Sequence, residues 1–153
     1  MKWTLIAVGH LKDGPEKTLF DHYYKRLMVP LLVKEIHPKK TAAKGGSKNE
    51  EGDLILKVID PQDYVIILDE KGDHLSTDEF YHVLEDDLSL RVKNCLFIIG
   101  GADGLSDPVR KRSQRQLCLG RMTWPHMLVR ALLVEQLYRC QQIKSNHPYH
   151  RQG

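Results

Sequence analysis

Apolar positions along the chain fall into short continuous runs separated by amphipathic stretches, and this alternation predicts most of its elements. Trp3–Val8 reads as a short buried strand, and Pro15–Met28 carries Leu19, Tyr23 and Leu27 at helical spacing, closed by Pro30. Leu31–Ile36 is a second, weaker strand, followed by a loop rich in lysine and a helix from about Asn49 to Val58. Tyr64–Asp69 is a third strand, and Glu70-Lys71-Gly72 turns the chain out of it. Thr77–Leu88 places Phe80, Val83, Leu84 and Leu88 on one helical side. Cys95–Ile99 forms a fourth strand, a basic helix spans about Asp107–Gln114, and Gln116–Leu119 forms a fifth strand. In Trp124-Pro125-His126 the proline suits a first helical turn, and this last helix runs to about Gln142.

Strands alternating with helices, three of the strands apolar on both faces, predict an α/β fold: a mostly parallel sheet covered by helices on both faces. Such sheets collect ligands at the carboxyl ends of their strands, so the loops after Leu68, Ile99 and Leu119 are expected to share one crevice. Nothing in the pattern marks a repeat or a linker, and residues 1–153 read as a single domain. In the last helix Leu128, Val129, Ala131, Leu132, Leu133, Val134, Leu137 and Tyr138 point nearly all round the axis. A helix this apolar needs cover on more than one side, from the sheet and a neighbouring loop or from a second subunit; a homodimer is expected.

Composition narrows the class. With 153 residues, 41% of them hydrophobic, the chain can bury one sizeable core. No apolar run reaches the roughly 18 residues that cross a bilayer, and the opening apolar stretch is too short for a secretion signal. The expectation is a cytoplasmic protein with no membrane partner. Cys95, Cys118 and Cys140 are odd in number, widely spaced and set among apolar neighbours, which suits reduced core thiols; without a Cys-x-x-Cys pair no metal site is expected. The net charge of +3 is unevenly spread: Asp60–Leu90 holds ten acids and one base, whereas the chain from Arg110 onward holds nine Lys or Arg and one acid, Glu135. Lys39, Lys40, Lys44 and Lys48 form a second basic cluster around Gly45-Gly46-Ser47. Two basic segments framing an acidic one point to a polyanion, most plausibly nucleic acid.

The stretch "LFIIGGADG", residues 96–104, runs a buried strand into a bare glycine turn that lets backbone approach a ligand closely. It matches neither the G-x-G-x-x-G dinucleotide fingerprint nor a G-x-x-x-x-G-K-[ST] phosphate loop. By itself it reads equally well as a tight strand-to-helix turn.

The segments "IIGGADGLSDPVRKR", "LCLGRMTWPHMLVRALLVEQLYR" and "NHPYHR", taken in that order with the opening "LIAVGHLKDGPE" and the internal "IILDEKG", closely resemble the ribosomal RNA large subunit methyltransferase H family. These are small SPOUT-class methyltransferases that modify a pseudouridine of ribosomal RNA. The resemblance spans essentially the whole chain and is weakest across Lys34–Pro61. It implies a carboxyl-terminal trefoil knot and S-adenosylmethionine as cofactor, held mostly by backbone groups in the knot. Carried over by position, Leu68, Gly100, Leu119, Gly120, Arg121, Met122, Thr123 and Trp124 should form the cofactor pocket, the same three loops that strand order brings together. Arg121 places a charge in this segment and is expected to face outward, and Met127 follows "WPH" where proline or glutamine is common in the family.

The implied reaction is methylation at N3 of a pseudouridine in large-subunit (23S) ribosomal RNA, on assembled ribosomes. That imide must lose its proton, so a base or a stabiliser of the anion is needed. The tail Asn146–Arg151 concentrates such groups: His147 and His150 are candidate bases, Tyr149 can stack on a nucleobase, and Arg151 can meet phosphate or an imide anion. Arg130 is expected to contact substrate, whereas Glu135 and Arg139, four residues apart, read as a structural ion pair or a dimer contact, and His126 at the helix start as a cap or a ligand contact, the structural role being preferred. The rival readings are a noncatalytic ribosome-associated RNA binder, a SPOUT enzyme acting on another RNA such as tRNA, and, more remotely, a flavodoxin-like nucleotide protein.

Overall fold

Five strands, β1 (Lys2–Val8), β2 (Leu31–Ile36), β3 (Tyr64–His74), β4 (Asn94–Ile99) and β5 (Arg115–Cys118), form one sheet in the order β2-β1-β4-β3-β5. The computed structural model describes residues 1–39 and 48–150; Lys40, Lys44, Gly45-Gly46-Ser47 and Arg151 lie outside the described residues. Every neighbouring pair is parallel, so the expected mostly parallel sheet is parallel throughout. Parallel neighbours require crossovers, supplied here by α1 (Pro15–Tyr24), α2 (Lys48–Leu56), α3 (Thr77–His82) and α4 (Asp107–Arg112). The chain then closes with α5 (His126–Lys144).

Side chains alternate across the sheet and feed two separate cores. On one face Leu5, Ile66, Phe97 and Leu117 pack with Phe20 of α1, Phe80 of α3, and Leu133, Val134 and Leu137 of α5. On the other, Ile6, Ile67 and Ile98 pack with Ile55 of α2 and Val109 of α4. Burial on both faces is why these strands read as continuous apolar runs, each fully buried aliphatic side chain contributing about 1.5–3 kcal/mol. α1 and α3 flank α5, so much of its apolar circumference is covered within the chain. Among the described residues no helix is long and apolar enough to cross a membrane.

Two elements depart from the sequence pattern. The first helix stops at Tyr24 rather than Met28. There the Tyr24 hydroxyl donates to the Leu31 carbonyl at 2.9 Å and the Met28 N–H donates to Gln141 Oε1 at 2.7 Å, so the connection is pinned between β2 and α5 instead of winding another turn. β3 continues through the expected turn at Glu70-Lys71-Gly72 as far as His74. Leu68 and Asp73 both stand opposite Leu117 of β5, so the extra residues form a bulge and both sides of it stay paired. The helix expected over Thr77–Leu88 is present in two forms, α3 and a wider π-type continuation from Val83 to Leu88, entered through a capping box between Ser76 and Glu79.

Candidate functional site

Because all strands run the same way, their carboxyl ends share one edge of the sheet. There the ends of β3, β4 and β5 surround a cavity of about 420 Å³, within the range of small-molecule sites. Its floor is apolar: Leu68, Ile99, Leu117, Leu119 and Val129. One wall is the glycine turn, closed by a hydrogen bond from the Gly104 N–H to the Gly101 carbonyl at 3.0 Å. A Cβ on Gly100 would lie 2.9 Å from the Gly104 carbonyl carbon, and one on Gly101 would lie 2.9 Å from Glu51 Oε2. At Gly100 the obstacle is backbone, so that position has no room for a side chain, whereas at Gly101 it is the tip of the Glu51 side chain. The opposite wall is the loop after β5, held in shape by the Trp124 indole N–H donating to the Leu119 carbonyl at 3.3 Å.

Leu68, Gly100, Leu119, Gly120, Met122, Thr123 and Trp124 all line this one cavity. Arg121 does not line it and is exposed. Three segments distant in sequence thus converge on one small-molecule-sized hollow with glycine backbone in its wall. A family model described as predicted SPOUT methyltransferase matches residues 1–150. The chain belongs to the SPOUT methyltransferase family. Proteins named ribosomal RNA large subunit methyltransferase H are similar to it over nearly their full length. Those from Paramagnetospirillum magneticum and Rhodospirillum centenum are 45% and 44% identical over 151 residues, covering 99% of each chain. The one from Cereibacter sphaeroides is 42% identical over 160 residues, again 99% of both chains.

Around the rim this SPOUT chain carries charges that periodicity did not single out. Asp69 is tied to Arg110, which also donates to the Leu105 carbonyl at 3.1 Å and so fastens the end of β3 to α4. Glu70 and Asp103 add carboxylates, and Lys48 and Lys71 add cations. Their shared signal is position: Asp69–Lys71 lie in the bulge of β3 just after Leu68, and Asp103 lies in the glycine turn after β4. Of the two readings of His126, cap or ligand contact, its position in the cavity lining favours the second. Burial, and after it the Arg130 charge, hold its imidazole below the usual histidine range, which favours a neutral ring.

Arg130 departs from expectation. It is 1% exposed and lies outside the cavity, donating to the carbonyls of Val8 at 2.6 Å and Gly9 at 2.9 Å and to Glu35 Oε1 at 3.1 Å. A guanidinium with three acceptors inside the fold braces the end of β1. Glu35 in turn receives the Leu11 N–H and the His10 ring; burial alone would raise its pKa, and these partners together with Arg130 hold it below the ordinary carboxylate value.

Glu135 and Arg139 do pair, at 2.6 Å, and that pair anchors the tail. The Tyr149 hydroxyl donates to Glu135 Oε1 at 3.1 Å, its ring lies under the Arg139 guanidinium, and Tyr138 meets it edge-on. His150 Nε2 approaches Asp78 at 3.2 Å without hydrogen-bond geometry, and His147 is exposed. None of His147, Tyr149 and His150 lines the cavity of its own chain.

A second cavity of about 440 Å³ shares the wall Leu117–Gly120 and Trp124 and opens between β3 and α5, with Phe80, Leu132 and Gln136 among its lining. Among the described residues no group of three or more His, Cys, Asp or Glu could hold a metal ion.

Proposed function

We propose that this protein is an S-adenosylmethionine-dependent methyltransferase acting at N3 of a pseudouridine in large-subunit (23S) ribosomal RNA, in the assembled ribosome of the cytoplasm, as a homodimer. The observation that carries this reading is the convergence of Leu68, Gly100 and Leu119–Trp124 on one cavity. The names of the similar proteins supply the RNA class.

The residues present suit such a donor. The apolar floor fits an adenosine, and the rim offers charges of both signs, Glu70 and Asp103 beside Lys48 and Lys71, to the charged groups of such a donor. When bound, the donor supplies an electrophilic methyl group; the chain has to hold it, exclude water and handle one proton. Leu68, Ile99 and Leu119 exclude water, while the backbone of Gly100 and of Leu119–Trp124 offers hydrogen-bonding groups for orientation. His126 lines the cavity and burial favours its neutral ring, which supports a role for it as acceptor of the imide proton.

Tyr149 is fastened to its own α5 away from the cavity, so the tail serves the reaction from outside that wall. A homodimer would let the tail of one protomer face the cavity of the other, with His147, Tyr149, His150 and Arg151 on the RNA side. The carboxyl-terminal knot belongs to this reading too, as the family's way of bringing the loop after β5 back against the glycine turn.

Tritium transfer from labelled S-adenosylmethionine to ribosomes, followed by mapping of the labelled nucleotide, tests the proposal. Label on a pseudouridine of the large-subunit RNA is expected. Label on free tRNA with none on ribosomes, or donor binding with no transfer, would overturn it in favour of another RNA substrate or of a noncatalytic binder.

A further inference from the structure

Behind the glycine turn stands a group that neither the fold nor the proposed reaction has used. Glu51, on the first turn of α2, presses its carboxylate against Gly101 so closely that a Cβ there would meet both oxygens, at 2.9 and 3.0 Å. Its Oε2 is shut off from solvent and has no hydrogen-bond partner. Asp103, on the same turn, faces it and lines the cavity, and among the described residues no ion pair includes either acid. By contrast Asp69 is neutralised by Arg110.

We propose that Glu51, assisted by Asp103, discriminates the cationic methyl donor from its neutral thioether product. This rests on the reading above that S-adenosylmethionine occupies the cavity. In the transfer the sulfur–methyl bond breaks with its electron pair staying on sulfur, the acceptor nitrogen forms the new bond, and the imide proton leaves to a base. The ligand thereby loses one positive charge, whereas its amino and carboxylate groups are unchanged. A half-buried carboxylate behind the backbone wall senses that difference with less screening than a surface group would. Glu51 is a positioning and specificity residue, acting across Gly101 without touching the ligand.

The charges around Glu51 set the sign. Glu50 and Lys48 stand on its own helix, Asp103 and the Gly101 N–H on the turn, and Arg110 of α4 near Gly104 is engaged by Asp69. Burial first, then Asp103, raises the Glu51 pKa, and the Gly101 backbone only partly opposes this. The carboxyl therefore holds its proton to higher pH than an ordinary glutamate, and a cation opposes this. Donor binding favours the ionised form and expels a proton; product binding does not. By reciprocity donor affinity is full above the free-protein pKa of Glu51 and falls as pH drops through it, while product affinity stays level.

The test is calorimetric titration of the full chain with S-adenosylmethionine and with S-adenosylhomocysteine, from about pH 4 to about pH 8, for wild type, Glu51→Gln and Asp103→Asn. For wild type the ratio of donor to product affinity should rise with pH by about tenfold, the equivalent of about one pKa unit of coupling. In Glu51→Gln the ratio should be lower and level across pH, with product affinity unchanged. Asp103 is exposed, so its replacement is readily tolerated; it should move the midpoint of the ratio to lower pH. Binding of both compounds with the same ratio and pH profile in all three proteins would overturn this inference alone. Binding of neither by wild type would overturn the donor reading and this inference with it.

Discussion

Replacing Arg130 with methionine removes three bonds that close the end of β1, those to Val8 O, Gly9 O and Glu35. Breaking a buried ion pair from one side costs about 3–5 kcal/mol, because the remaining charge is left without its partner. The Glu35 side chain is 22% exposed, so water compensates part of the loss and about 3 kcal/mol is the figure expected here. In urea unfolding followed by circular dichroism, with a slope of about 2 kcal/mol per molar, the midpoint should fall by about 1.5 M. Adding Glu35→Gln should recover at least about 1 kcal/mol, since the orphaned charge is then gone. The pH dependence follows from the lowered Glu35 pKa. Its contribution is present above the unfolded value of 4.5 and is lost as pH falls through the lower folded value, so Glu35→Gln should flatten the acid limb of the stability profile. A midpoint shift below about 0.3 M, joined to loss of methyl transfer, would refute the bracing role and return Arg130 to the chemistry.

Gly100→Val should weaken donor binding by more than about tenfold while the far-ultraviolet spectrum is kept, because its side chain would collide with the Gly104 backbone and fill the cavity wall; unchanged affinity would argue against a backbone cradle. Burial pushes the thiols of Cys95 and Cys140 up to about 12, so a thiol reagent near neutral pH should label them in the native protein far more slowly than in urea. Tyr149→Phe removes the hydroxyl bonded to Glu135 and should cost about 0.5–1.5 kcal/mol in unfolding experiments, with faster proteolysis of the tail as a second readout.

How far the sequence could be read depended on which kind of information each residue carries. Leu5, Ile67 and Ile98 are buried wherever the strand goes, so apolar runs located β1, β3 and β4, and the rule that parallel strands share an edge placed Leu68, Gly100 and Leu119 together. The path of β3 beyond Asp69 was not legible, because Lys71-Gly72 has the local chemistry of a turn and only pairing with β5 keeps it extended. Arg130 misled for a similar reason: a charge on a helix reads as surface until the carbonyls of Val8 and Gly9, more than a hundred residues away in the chain, come within reach. His126 and Glu51 are of the same kind. What they stand against is not local in sequence: His126 shares its cavity with the segment after Leu68 and with the glycine turn, and Glu51 packs behind that same turn.

The central claim is that main-chain groups from three strand ends hold the methyl donor. Backbone amide resonances of the isotopically labelled protein, followed during titration with S-adenosylmethionine, test it most directly. The largest shifts should fall on the amides of residues 100–104 and 119–124 and on those just after Leu68. Shifts concentrated in the tail or around the second cavity, with those three segments unmoved, would contradict it.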